Sequence, residues 1–364
     1  MYETVLQVPL IGMEWEQFIL LLITALAGGA FGAAIGALPA FIFTGFVVFL
    51  GEGIAILQRE LGAASPEIGA GELAAGVTGV IGFGAITGPH IAFAGGVAAS
   101  AYAGKKYPEM EPADWDYHFG KNILYAFGTK PDILAVGAIF GVVGVILNQL
   151  FAAVLVVGGT GLTDSIALTV VASAFLARIV FGYPIVGKSA GGSLLDMSPF
   201  EREEPRMAAD GGEVPQEHQG RLATEPWLPH QYKWSGVTAI GLVGGILGGY
   251  IWIQTGSIFM GYAISAMSLL FLQLGVEKIP VTHHITLVGA VGAVVVAPVA
   301  GSVVALLAAG AFGAVSGLLG EVTQRIFYAH SDTHVDPPAM AIALSMLIVG
   351  VLAIIGVFPN AGYL

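Results

Sequence analysis

The chain of 364 residues contains no cysteine. Disulfides, thiolate metal sites and cysteine nucleophiles are therefore excluded. Charge is also scarce: Asp, Glu, Lys and Arg make up 10% of the residues, against roughly 25% in a soluble domain. Only 13 residues are basic against 25 acidic, a net charge of −12, which argues against a nucleic-acid partner and against a polybasic lipid anchor. No His-Glu-x-x-His or Gly-x-Ser-x-Gly is present. Gly182 and Gly187-Lys188-Ser189 fit the spacing of a phosphate-binding loop. That loop needs a strand before it and a helix after it, whereas here Pro184 and Gly191-Gly192 interrupt the context. No nucleotide site is expected, and hence no ATP-driven pump. The first 15 residues carry no Lys or Arg before the first apolar run and do not read as a cleaved signal peptide.

What is abundant is apolar residues and glycine. The chain is 56% hydrophobic with 53 glycines and a mean hydropathy of +0.83. Apolar stretches of about 20 residues, the length that crosses a hydrocarbon core of about 30 Å, recur along the chain. Frequent glycine suits helices that approach closely through small residues, which also allows a homo-oligomer. The expected fold is all-α and polytopic, with the lipid bilayer as the main partner. Ten spans are predicted: Glu16–Leu38, Pro39–Gln58, Glu72–Gly104, Asp132–Val157, Asp164–Pro184, Ser235–Gln254, Gly256–Gly275, Pro280–Pro298, Gly301–Phe327 and Pro337–Pro359. The third is broken or kinked at Pro89. Lys105–Pro131 is a charged loop with an interfacial helix expected at Tyr117–Phe127, and Lys188–Lys233 reads as a loosely structured linker.

The chain also repeats itself. Gly28, Gly29, Gly32, Phe43 and Gly45 recur without a gap as Gly244, Gly245, Gly248, Phe259 and Gly261. The run from Phe140 through Asp164 to Ser173 aligns with that from Phe312 through Asp336 to Ser345, and Pro89-His90-Ile91 lies opposite His283-His284-Ile285. The division is residues 1–187, a five-helix repeat; 188–233, a cytoplasmic linker; and 234–364, a second five-helix repeat. An odd number of spans per copy inverts the second copy, a plan common among secondary transporters. Basic residues set the orientation. Lys105, Lys106, Lys121, Lys130, Lys188, Arg202, Arg206, Arg221, Lys233, Lys278 and Arg325 fall on one side of the ten spans and Arg59 on the other. The first side is then cytoplasmic, and both termini are extracellular in a multi-pass protein of the cell membrane.

Ionisable groups within a bilayer are costly and mark function. His90 and His284, with His283, follow helix-breaking Pro and Gly. They are expected to meet near the midplane as the polar core of a pathway between the two repeats, with Asn148, Gln149, Asp164, Glu321 and Asp336 along the approach. Asp164 and Asp336 also stand where a helix N-cap belongs, and Glu321 and Arg325 are placed for an i,i+4 pair. Arg178, near the inner end of the fifth span, is expected to be an anchor that snorkels to the headgroups or a structural ion-pair partner rather than a substrate ligand. His330, Asp332, His334 and Asp336 alternate, which in an extended strand would put all four on one face as ligands for a divalent ion. The expected function is a permease or channel-like transporter of a small solute or ion, not an enzyme, with no cofactor. The alternative is a membrane-embedded metal-dependent enzyme built on the His330–Asp336 cluster.

Overall fold

The structure is a computed structural model that describes residues 7–64, 76–207, 213 and 218–364. The predicted start of the third span at Glu72 and parts of the linker, 208–212 and 214–217, lie outside the described residues. The protein is mostly helical. Helix α1 is Trp15–Ile35 and α2 is Ala37–Ala64, joined at Gly36, whose φ of 96° favours glycine. A π-helical turn, Gly76–Gly82, is followed by bends, and a second, Pro89–Phe93, runs into α3, Ala94–Lys106. The break expected at Pro89 is therefore present. Helix α4 is Pro131–Val154. The two-residue strands β1 (Val156–Val157) and β2 (Thr160–Gly161) form a hairpin, and α5 is Ser165–Phe181. A single turn, α6 (Ser198–Glu201), precedes α7 (Trp234–Thr255) and α8 (Phe259–Gln273). Helix α9, His283–Thr323, is interrupted at Gly301 (φ 77°, ψ 171°), three residues after Pro298, and ends in a π-helical turn, Gln324–Tyr328. Helix α10 is Pro337–Ile354.

Among the described residues, six helical stretches are long and apolar enough to cross a membrane: α1, α2, α4, α7, α9 with its π-helical end, and α10; α5 and α8 are shorter apolar helices. Large side chains face outward on these helices, among them Leu20 and Ile23 on α1 and Val299, Val303 and Leu307 on α9. Apolar atoms turned outward on long helices are compatible with a lipid environment.

Glycine sets the distance between helices. A Cβ on Gly29 of α1 would lie 2.2 Å from Gly137 O on α4, and one on Gly245 of α7 would lie 2.2 Å from Ala309 O on α9. One on Gly32 would lie 1.9 Å from Ala92 O, and one on Gly248 would lie 2.1 Å from Thr286 O. A Cβ on Gly141 would meet Ala25 O at 2.3 Å; one on Gly313 would meet Gly241 O at 2.4 Å. Each second contact uses the residues that the sequence pairs with those of the first. At a further pair the side chain differs: a Cβ on Gly144 would lie 1.7 Å from His90 O, whereas Ser316 donates its hydroxyl to His284 O at 3.1 Å.

Helices α2 and α8, and likewise α5 and α10, run in opposite directions. The start of α2 and the end of α8 meet one loop: Leu38 N donates to Ile123 O (2.8 Å), and Gln273 Nε2 donates to Leu124 O (3.3 Å). At their other ends Ser257 Oγ, before α8, donates to Glu52 Oε2 late in α2 (2.6 Å). Likewise Thr163, before α5, donates to Ala343 O on α10 (2.6 Å), while Arg178 near the end of α5 bonds to Thr333 before α10.

Three expectations need correction. Tyr117–Phe127 forms no helix beyond the 3₁₀ turn Phe119–Lys121. Carbonyls 123 and 124 serve α2 and α8 instead of a helix of their own. The described part of the linker is docked. Arg206 N bonds to Arg221 O, Glu225 N to Ala329 O and Trp227 N to Gln324 Oε1, and Gln231 exchanges two hydrogen bonds with Val281. Its partners are distant in sequence, which local composition does not reveal. Arg178 does not snorkel. It is fully buried and donates to Thr333 and to the carbonyls of Ile185, Phe327 and Thr333, joining the end of α5 to the loop before α10.

Candidate functional site

A cavity of about 1030 Å³ lies between the two halves. Its wall is mostly apolar and aromatic, with Phe41 on α2, Phe83 and Phe93 around the Pro89 break, and Phe259 and Tyr262 on α8. At one end it reaches Val156, Gly161, Tyr363 and Leu364; at the other it reaches the 114–117 loop, Lys121 and the linker residues Trp227–His230.

Two helix starts reach this space. Asp164 caps α5, with Oδ1 accepting from Ala167 N (2.8 Å), and its Oδ2 accepts from Tyr363 OH (2.8 Å). Asp336 caps α10, with Oδ2 accepting from Ala339 N (2.8 Å), and its Oδ1 lies 3.1 Å from His334 Nε2. Both carboxylates line the cavity, as do His283 and His334. The capping expected from sequence is thus present at both aspartates, each with one oxygen on the helix amide and one on a ring-bearing side chain. His283 and His334 are 5% and 1% exposed, and among the described residues the Nδ1 of each has no hydrogen-bond partner. Phe41 lies 4.7 Å from the His283 ring and Phe93 5.8 Å from the His334 ring, centroid to centroid.

The remaining predicted pathway residues lie elsewhere. Pro89 and Phe93 line the cavity, as do His283 and Leu287, each pair four apart on one helical face. His90 and His284, one position further on, are turned off that face and do not line it. His284 Nε2 is 3.4 Å from where a Cβ of Gly320 would stand, within the α9 packing. The shared pocket expected for these two rings is therefore corrected: adjacent helical residues differ by about 100° in direction, and it is His283 that reaches the cavity. Asn148 and Gln149 on α4 do not line it, although Phe151 and Ala152 do. Glu321 makes the expected pair with Arg325 (2.6 Å) and also accepts from Gln324 (2.9 Å), away from the cavity. Arg325 in turn donates to Leu195 O and Tyr232 O, so this pair fastens the linker.

The four-residue metal cage is corrected as well. Residues 329–336 form turns and bends rather than a strand. His330 Nε2 lies 3.1 Å from Leu194 O, Asp332 pairs with Arg206 (2.7 Å), and His334 pairs with Asp336. His330 and Asp332 are taken by partners outside the four, His334 and Asp336 pair with each other, and among the described residues no group of three or more His, Cys, Asp or Glu is placed to hold a metal ion. Gly187-Lys188-Ser189 leads into bends and a turn, not a helix.

Beneath the linker lies an ionic cluster that the sequence did not reveal. Lys121 Nζ meets Glu225 Oε2 at 2.7 Å with both side chains buried, and Arg221 Nε meets Glu225 Oε1 at 3.0 Å. Burial lowers the Lys121 ammonium to about 8 against the pull of Glu225, and burial holds the nearby His118 imidazole down at about 3. His118 Nδ1 accepts from Gly120 N (3.0 Å), so the ring is held neutral. Tyr363, Tyr262 and Trp227 were also missed as cavity residues. Tyr363 lies beyond the last predicted span, and nothing in its local pattern signals a partner at Asp164.

No curated protein and no solved structure matches this chain. A family model described as a family of unknown function, DUF7973, matches residues 10–364. The cavity, both capped helix starts and the docked linker all lie within that match, and the chain belongs to this family.

Proposed function

We propose that the protein is a membrane permease or channel-like transporter that moves a small solute through the cavity between two inverted five-helix repeats. The observation that carries this reading is the cavity wall, in which equivalent helix starts from the two halves, at Asp164 and Asp336, line one space. Glycine contacts that recur at matched positions support two copies of one unit. The opposite directions of α2 and α8, and of α5 and α10, support inversion. Inverted repeats with broken helices at a central site are the architecture of many secondary transporters. Completing ten spans requires the shorter helices α5 and α8, the segment 76–106 and both limbs of α9 to cross with the long ones. On that plan the linker and loop 107–130 are cytoplasmic and both termini are outside.

The cavity replaces the His90–His284 pair as the site, with Asp164, Asp336, His283 and His334 as its polar groups. The test is flux of small organic and inorganic solutes into proteoliposomes containing wild type, Asp164→Asn or Asp336→Asn. Asn is as good a helix cap as Asp, so each variant keeps the fold while removing a charge. A permeant solute whose flux falls at least tenfold in either variant is the expected result. Flux of every permeant solute unchanged in both variants would remove the cavity from the pathway.

A further inference from the structure

The chemistry of the cavity wall selects among solutes. This step rests on reading the cavity as the transport site. Its volume of about 1030 Å³ far exceeds the roughly 30 Å³ of a water molecule and stands at the upper limit of the range that holds organic molecules, about 300–1,000 Å³. A bare inorganic ion would leave most of this apolar space empty or wet. The charged groups along the wall are Asp114, Asp116, Asp164, Glu277 and Asp336 against Lys121 and Lys278. Lys121 is paired to Glu225, which leaves carboxylate in excess.

The hydrogen-bonding groups have the same sense. A carboxylate accepts only, with about four sites on its two oxygens. Asp164 and Asp336 each use one site on a helix amide and one on a ring-bearing neighbour, so capacity remains. In the tautomer that donates its Nε2–H to Asp336, His334 presents Nδ1 as an acceptor, and that atom is buried without a partner among the described residues. A ligand that satisfies this end must bring hydrogen-bond donors, and the excess of carboxylate on the wall favours donors carried on a cation. The rings of Phe41, Phe93 and Tyr262 add faces that attract a cation. We infer that the cavity takes an organic cation, an ammonium group on an apolar body, with the ammonium at the Asp336–His334 end and the body among the aromatic rings.

The test uses purified full-length protein in detergent and three probes of one shape: phenethylamine, 2-phenylethanol and 3-phenylpropionate. Trp227, on the cavity wall, reports occupancy by its fluorescence, with Trp227→Phe identifying its share of the signal, and thermal stabilisation is a second readout. The amine is expected to bind saturably and at least tenfold more tightly than the alcohol or the acid. Asp336→Asn should weaken the amine tenfold or more and leave the alcohol unchanged. Preference for the acid, equal binding of all three, no saturable binding of any probe, or an amine affinity unaltered in Asp336→Asn overturns the inference. Should that variant fail to fold, the ranking of the three probes on wild type decides alone. Proteoliposome flux separates the two proposals. An amine that binds but does not cross leaves the ligand class standing and removes transport. A neutral or acidic solute that crosses without competition from the amine does the reverse.

Discussion

At the scale of single residues, glycine carries the packing. Gly32 and Gly248 occupy matched places on α1 and α7, and a Cβ on either would fall about 2 Å from a backbone carbonyl, that of Ala92 or Thr286. A carbonyl in a helix has no room to retreat, so a larger side chain forces helices apart. Overpacking of this kind costs about 1–3 kcal/mol and sometimes more. Gly32→Val and Gly248→Val should each lower the thermal midpoint in detergent by a similar amount. Gly53→Ala, where a Cβ would meet nothing within 4 Å inside α2, should hold or slightly raise it, since alanine favours the helix. Equal midpoints for all three would mean that the matched contacts do not set helix spacing. These glycines were legible because a tight contact tolerates one residue type, which survives in both halves as identity. The direction of a side chain was less legible. The His-Ile pair marks equivalent turns, yet whether position 283 or 284 reaches the cavity depends on helix rotation, which packing fixes.

At the scale of elements, the linker behaves as a docked lid over the loop side of the bundle. Its Glu225 is the shared acceptor of Lys121 and Arg221, with Lys121 and Glu225 nearly without solvent contact. A buried pair is weak support for stability as a whole, but removing one partner leaves an uncompensated charge and costs about 3–5 kcal/mol. Glu225→Gln should therefore loosen the linker, lower the thermal midpoint and speed proteolytic cutting near the exposed Arg202. Replacing Lys121 and Glu225 together by Met should recover much of the loss. A Glu225→Gln protein as resistant as wild type would mean the cluster does not hold the linker down. None of this was legible in the sequence, where the same segment reads as polar, Pro- and Gly-rich chain. Its order comes from partners about a hundred residues away, including Lys121, Gln324 and Ala329. The helices, by contrast, were legible from apolar length alone, and the break at Pro89 from proline's missing N–H.

At the scale of the whole molecule, the arrangement stands or falls on which ends share a side of the membrane. The linker touches loop 107–130 through Lys121–Glu225 and the loop before α10 through Arg206–Asp332, and Arg178 ties the end of α5 to that last loop at Thr333. The opposite end gathers Glu52, Thr255, Ser257 and the β1–β2 hairpin beside the C-terminus. If five passes separate α1 from the linker, these two ends lie on opposite faces, and the clustering of lysines and arginines makes the linker end cytoplasmic. The absence of cysteine makes the test clean, since any introduced thiol is the sole reactive one. Val157→Cys, in the exposed hairpin, and Arg202→Cys, in the exposed part of the linker, both replace side chains without a buried role. In intact cells a membrane-impermeant maleimide should label the first and spare the second, and permeabilised cells should label both. Labelling of both in intact cells would place hairpin and linker on the same face. The first half would then cross an even number of times, the second copy could not be inverted, and the equivalence of Asp164 and Asp336 would be a likeness of helix caps and nothing more.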